Sequence, residues 1–235
     1  MPHFDKVVCD LESVMDSRNQ DPDLTGLFMT TLKEIFQQLT AIYTSWPELI
    51  EKLWREIHNS YTASGRYYHT LDHLENMLFE LQLVRPEIKD WDVVLFALFY
   101  HDIVYSPTGT ANEEKSAGVA ATCLSQIAFP VERIEKCKTT ILATKSHYES
   151  ADPDINYFTD ADLAILGQNW KIYLSYTCDV RREYSMHPDW IFRPGRKKVL
   201  NHFLGMSTIY KTPFFFGKFE TKARENLARE MKMLL

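Results

Sequence analysis

The chain is poor in glycine, with eight in 235 residues. That scarcity argues against a turn-rich β architecture and in favour of helices. Its four cysteines, Cys9, Cys123, Cys137 and Cys178, are scattered and form no CxxC pair. This excludes a disulfide framework and a thiolate zinc site, and points to a reducing compartment. There is no basic surplus: 26 lysines and arginines stand against 32 acids, a net charge of −6. A nucleic-acid duplex, whose phosphates demand cations, is therefore not the expected partner. A small phosphorylated ligand needs only a local basic patch and stays open. Nor is there a long apolar run. The longest, Val93 to Tyr100, is far too short to span a bilayer, and the opening MPHFDKVVCDLESVMD lacks the basic and apolar regions of a secretory signal. A soluble, cytoplasmic protein with no membrane partner is the expectation.

What is present is helical periodicity. Residues 1–22 read as a loosely held polar arm, and 23–235 as a single domain. From Leu24 the apolar positions Leu27, Phe28, Leu32, Ile35, Phe36, Leu39 and Tyr43 mostly follow a three-to-four spacing, predicting one amphipathic helix. Pro47 opens a second helix, broken at Ser64-Gly65. A third is expected from about Thr70 to Val84, and a fourth, capped by Asp90, over the strongly apolar WDVVLFALFYHDIVY. Further helices are expected at about 112–126, 130–145, 157–166, 169–186, 195–210 and 220–234, separated by Pro-, Gly- and Asp-containing steps. The reading is an all-α domain, one bundle of eight to ten helices.

Histidines and aspartates are spread over these segments. His69 and His73, four apart, would share one face of a helix. His101-Asp102 ends the most apolar helix, where an unpaired carboxylate is costly. Asp160 and Asp162, two apart, would point to nearly opposite sides, so that one of them reaches a shared site. Asp160 serves equally as a helix cap, Asp162 as a first-turn carboxylate, and His147 as a helix-end partner of the dipole. Imidazole and carboxylate are the usual ligands of divalent Mn, Fe, Co, Ni, Zn or Mg. Four such clusters on helices sharing a core point to a metal site holding one or two ions. Arg66, Lys145, Arg181, Arg182 and Lys197 offer positive contacts for an anionic substrate, although each also suits a solvated surface. Glu113 is either a ligand or water-orienting group, or a solvated first-turn acid. Tyr173, Tyr176 and Tyr184 read as core.

The order His…His-Asp…Asp on helices resembles the HD superfamily of metal-dependent phosphohydrolases. The runs RxYHxxxH, FxHDxVY, NExxSA, DADLxILG and RxEY, spread over roughly residues 24–234, resemble an uncharacterised branch of it. Tyr68 to His73 is also similar to the YHNxxH motif of cyclic nucleotide phosphodiesterases, with Thr70 where that motif has Asn. The resemblance implies that His73, His101, Asp102 and Asp162 hold the metal and that His69 protonates the leaving group, with a register using His69 as ligand left open. His147 and Asp160 would serve a second metal or a phosphate. The implied reaction is hydrolysis of a nucleotide or other small phosphate ester by water that the metal activates. Two other readings remain: an HD-fold di-iron oxygenase and a nucleotide-binding regulator without turnover.

Overall fold

The computed structural model describes residues 31–234, and among these ten α-helices and two short 3-10 segments pack without a strand. The helices are α1 (Leu32–Ala41), α2 (Pro47–Tyr61), α3 (Leu71–Leu83), α4 (Trp91–Tyr100), α5 (Asn112–Gln126), α6 (Val131–Ala143), α7 (Pro153–Asp162), α8 (Trp170–Glu183), α9 (Asp189–Gly205) and α10 (Pro213–Leu234). This is the all-α architecture that the periodicity predicts. No helix among the described residues is long and apolar enough to cross a membrane. The expected N-terminal arm and the expected first turns of the first helix lie outside the described residues.

Most helix ends follow local chemistry. Thr31 is extended at ψ 158° and forms a capping box: its N–H donates to Glu34 Oε2 at 2.8 Å, and Glu34 N–H donates to its hydroxyl at 3.2 Å. Among the described residues the first helix therefore starts at Leu32, behind the reciprocal cap at Thr31. Asp90 caps α4 through Val93 N–H, and Asn169 caps α8 through Ile172 N–H.

Three expected boundaries are corrected. The run around Pro153 is a helix start rather than a separator: Asp152 accepts from Asp154 N–H at 3.0 Å and Pro153 takes the first helical position. Consequently α7 ends at Asp162, followed by a 3-10 segment, Leu163–Gly167. The helix expected at 195–210 begins at Asp189 and runs through Pro194. The proline forfeits one backbone hydrogen bond, but Asp189 is gripped by Arg181 at 2.9 Å and Phe192 packs on Tyr184. The last helix starts at Pro213 rather than 220, since Phe215 and Phe219 already face the core.

Helix α4 is the axis of the bundle. Every residue from Val93 to Tyr100 is buried, and it packs against α3, α5, α6 and α7. Helices α3 and α7 also touch each other, so the C-terminal end of α4 delivers its last residues into the interior between them. Gly167 permits one close approach: a Cβ there would lie 2.4 Å from Phe219 Cβ. Its absence lets the segment just after Asp162 lie flat on α10.

Candidate metal centre

Three helices converge on one point. His73 lies in the first turn of α3, His101 is the C-cap of α4, and Asp162 is the last residue of α7. His73 Nε2 stands 3.2 Å from His101 Nε2 and 3.2 Å from Asp162 Oδ1. Both imidazoles are buried, at 5% and 1% exposure. These three side chains form a group that can hold a metal ion. Ligands about 2.0–2.2 Å from one ion sit roughly 3.0–3.5 Å from each other when cis, and the two closest separations fall in that window. The His101 Nε2 to Asp162 Oδ1 distance, 3.9 Å, is slightly wider. The donor chemistry also fits. His101 Nδ1 faces the Leu98 carbonyl at 2.9 Å; a carbonyl only accepts, so Nδ1 carries the proton and Nε2 is the atom turned to the site.

The electrostatics favour a cation. His101 and Asp162 sit at the C-terminal ends of α4 and α7, where the helix dipoles are negative. A carboxylate at that end is disfavoured unless positive charge compensates it. Burial by itself pushes His101 down, but the Asp102 and Asp162 carboxylates prevail and raise it to about 9. Burial likewise opposes ionisation of Asp162, yet hydrogen bonds from His147 and His73 hold it well below the usual carboxylate range. Asp102 is lowered too, against its burial, by the neighbouring His101.

The other expected site residues divide sharply. Asp102 Oδ2 lies 3.2 Å from His101 Nε2, beside the three-donor group rather than within it. His147 approaches from the opposite side, its Nε2 2.9 Å from Asp162 Oδ2. It adopts a left-handed backbone, φ 54°, a strained conformation for a non-glycine residue. His69 is not on a helix with His73: Thr70 is extended and α3 starts at Leu71. Of the two, His73 belongs to the group that can hold an ion, and His69 Nε2 lies 3.9 Å from Asp102 Oδ2.

Asp160, expected as a possible second-site ligand, is corrected to a structural role. It is fully buried, and it accepts from Lys211 N–H, Thr212 N–H and the Thr212 hydroxyl at 2.7–3.0 Å. Lys211 Nζ adds its charge at 3.2 Å. The opposite-face argument for Asp160 and Asp162 thus describes what the backbone does. Arg66, expected to bind substrate, is spent on the backbone: it donates to the carbonyls of His69, Asp102 and Ile103 at 3.1, 2.8 and 3.0 Å. It ties the loop of His69 to the turn of Asp102. Arg181 holds Asp189 and the carbonyls of Tyr184 and His187. Arg182 lies over the Tyr67 ring and pairs with Asp179. Lys145 pairs with Glu114 at the surface, and the neighbouring Glu113 carboxylate acts on that lysine. Glu113 makes no hydrogen bond or ion pair with the histidine cluster among the described residues. Of the three tyrosines read as core, Tyr173 is fully buried.

One residue central to the geometry was not predicted. Glu183, at the end of α8, has a fully buried carboxylate. Oε1 accepts the N–H groups of Tyr67, Tyr68 and His69 at 2.9–3.0 Å. Oε2 accepts from His69 Nδ1 at 2.7 Å and from the Tyr105 hydroxyl at 2.8 Å. Burial opposes its ionisation, but the His69 contacts hold it down at about 2. With Tyr105 stacked on His69 at 4.0 Å, the imidazole is fixed with Nδ1 inward and Nε2 toward Asp102.

Searches against family models, curated proteins and solved structures find no match to this chain.

Proposed function

We propose that this chain is a metal-dependent phosphohydrolase of the HD type, acting on a nucleotide or another small phosphate ester. The observation that carries the reading is the convergence of His73, His101 and Asp162 next to a second imidazole, His69, whose far nitrogen is locked by Glu183. His73, His101 and Asp162, with Asp102 at the edge, would hold the ion. A donor set of two imidazoles and two carboxylates suits Mn, Fe, Co, Ni or Zn better than Mg or Ca. When bound, the cation supplies Lewis acidity toward a phosphoryl oxygen and an activated water as nucleophile.

The protein's own part is positioning and proton transfer. Glu183 accepts the Nδ1 proton of His69, so that Nε2 is the nitrogen presented to substrate. As water adds to phosphorus and the ester P–O bond breaks, a proton on His69 Nε2 passes to the departing oxygen. Arg66 keeps the loop of His69 and the turn of Asp102 in register, which preserves the alignment on which such transfers depend. A second ion would need a third donor beside His147 and Asp162 Oδ2, and no further His, Cys, Asp or Glu among the described residues completes such a group. The one-ion reading is therefore preferred over the di-iron one.

The test is phosphate release from a panel of nucleotides and phosphate esters by metal-stripped protein, resupplied with each cation in turn. Release that requires a cation and falls at least about 1,000-fold in Asp102→Ala is expected. In Glu183→Gln a smaller loss in kcat, about 10- to 100-fold with cation affinity unchanged, is expected. Absence of release with every cation, from folded protein that still binds nucleotide, would replace this reading with that of a non-catalytic regulator.

A further inference from the structure

A cavity of about 380 Å³ opens between α3, the Leu163–Gly167 segment, α8 and α10, and both His73 and Asp162 form part of its wall. It is at the small end of ligand pockets, which run to about 300–1,000 Å³, and has room for one compact organic group rather than an extended chain. Away from His73 and Asp162, its charged lining is a matched pair. Glu80, 5% exposed, takes Lys218 Nζ on both oxygens at 2.8 and 2.6 Å. No lining cation is therefore left over for a second phosphate.

The hydrogen-bonding groups that remain are neutral. Tyr68 has its ring packed between His73, at 5.0 Å, and Tyr176, at 4.7 Å. Its hydroxyl has no partner among the described residues, and the residue borders the cavity next to the metal centre. Further out, Gln168 and Asn76 also border it, and neither carboxamide has a partner among the described residues. A carboxamide offers a donor and an acceptor side by side, the pattern that pairs with a heterocycle's edge. Met77, Ile165 and Phe219 supply apolar surface for a ring face.

We propose that this cavity seats the uncharged heterocyclic part of the substrate, a nucleobase with its sugar. Gln168 reads the ring edge, Tyr68 donates to the group nearest the metal centre, and a single phosphoryl group reaches His73 and Asp162. The nucleoside identity rests on the phosphohydrolase reading; the neutral character of the pocket does not. On this account the substrate carries one phosphate at the metal and no polyphosphate tail in the cavity.

The experiment is calorimetric titration of adenosine, guanosine, cytidine and uridine, and separately of tripolyphosphate, into the full chain loaded with Mn²⁺. At least one nucleoside should bind. Its affinity should fall about 10-fold in Gln168→Ala and about 3- to 10-fold in Tyr68→Phe, the range of one lost neutral hydrogen bond, with Mn²⁺ affinity unchanged in both. Ala164→Phe, which fills the cavity, should abolish nucleoside binding. Failure of all four nucleosides to bind, or binding indifferent to both Gln168→Ala and Ala164→Phe, overturns the proposal. Tripolyphosphate binding that is lost in Ala164→Phe would also overturn it. If phosphate esters are hydrolysed yet no nucleoside binds, the pocket assignment falls and the phosphohydrolase reading stands. If a nucleoside binds as described but nothing is hydrolysed, the reverse holds.

Discussion

Two buried polar knots in this molecule look alike in composition and differ in balance. In the first, between α8, α9 and α10, Arg196 donates to both oxygens of Glu230 at 2.7 and 2.9 Å and to the Tyr176 hydroxyl at 3.0 Å, while Tyr173 closes the remaining position on Glu230. One cation faces one carboxylate, and donors match acceptors. In the second, between α3, α4 and α7, two imidazole nitrogens and two carboxylates face each other, with no lysine or arginine side chain among the described residues bonded to them. That knot sets two carboxylates against one raised imidazole, His101, and so has room for a further positive charge. The same contrast recurs within a single turn of α7: Asp160 is held by Lys211 and Thr212, and Asp162 pairs, among the described residues, with imidazoles. Burial of charge alone therefore does not separate the two knots; the balance of buried charge does.

The sharpest way to break the comparison is to remove one partner from each knot. Glu230→Ala strands Arg196 in the interior and should cost about 3–5 kcal/mol of stability in urea unfolding. Asp162→Asn in metal-free protein should cost less, about 1–2 kcal/mol, since Asp102 still faces the charged His101 and the amide still offers His73 a polar partner. Equal losses would mean that the second knot is a structural ion pair like the first.

A smaller effect should appear with pH. His101 is raised from its unfolded value of 6.5 to about 9. In metal-free protein its contribution is complete below about pH 6.5 and is lost as pH rises through 9. Asp162, held below its ordinary value, contributes above about pH 4 and is lost as pH falls further. The metal-free protein should therefore unfold at lower urea concentration at pH 9 than at pH 6, and saturating Mn²⁺ should reduce that difference by taking the proton's place. A metal-free midpoint that is the same at both values would contradict the charge balance described here.

The smallest effect is expected at a surface pair. Lys145→Ala removes the exposed contact with Glu114 and should leave both the unfolding midpoint and phosphate release unchanged, because exposed ion pairs are screened by water and salt. A clear loss of turnover would return Lys145 to the substrate-binding role that its sequence position suggested.

The helical fold was legible because periodicity and caps are local: Pro47, Asp90 and the apolar run of α4 act on their own neighbours. The His101-Asp102 pair stood out because a carboxylate beside a buried stretch demands compensation, whereas the choice of His73 and Asp162 came from the resemblance, the residues alone leaving His69 and His73 open. Glu183 was not. It sits between Arg182 and Tyr184 in a polar helix end, where a carboxylate looks solvated, and its partners Tyr67 and His69 lie 116 and 114 residues away. The role of Arg66 was hidden for the same reason, since two of its three acceptors are carbonyls brought near only by tertiary packing. The misplaced starts of α7, α9 and α10 share one cause: Pro153, Pro188 and Pro213 read as separators, whereas Pro153 and Pro213 open their helices and Pro188 is the N-cap of α9, which carries Pro194 in its interior.

The most direct test of the central claim is calorimetric titration of Mn²⁺ into EDTA-stripped wild type and Asp162→Asn. The account predicts one ion per chain in the wild type and affinity at least about 100-fold weaker in the variant, a loss of about 2.7 kcal/mol. Binding that is absent in the wild type, or undiminished in the variant, would contradict it.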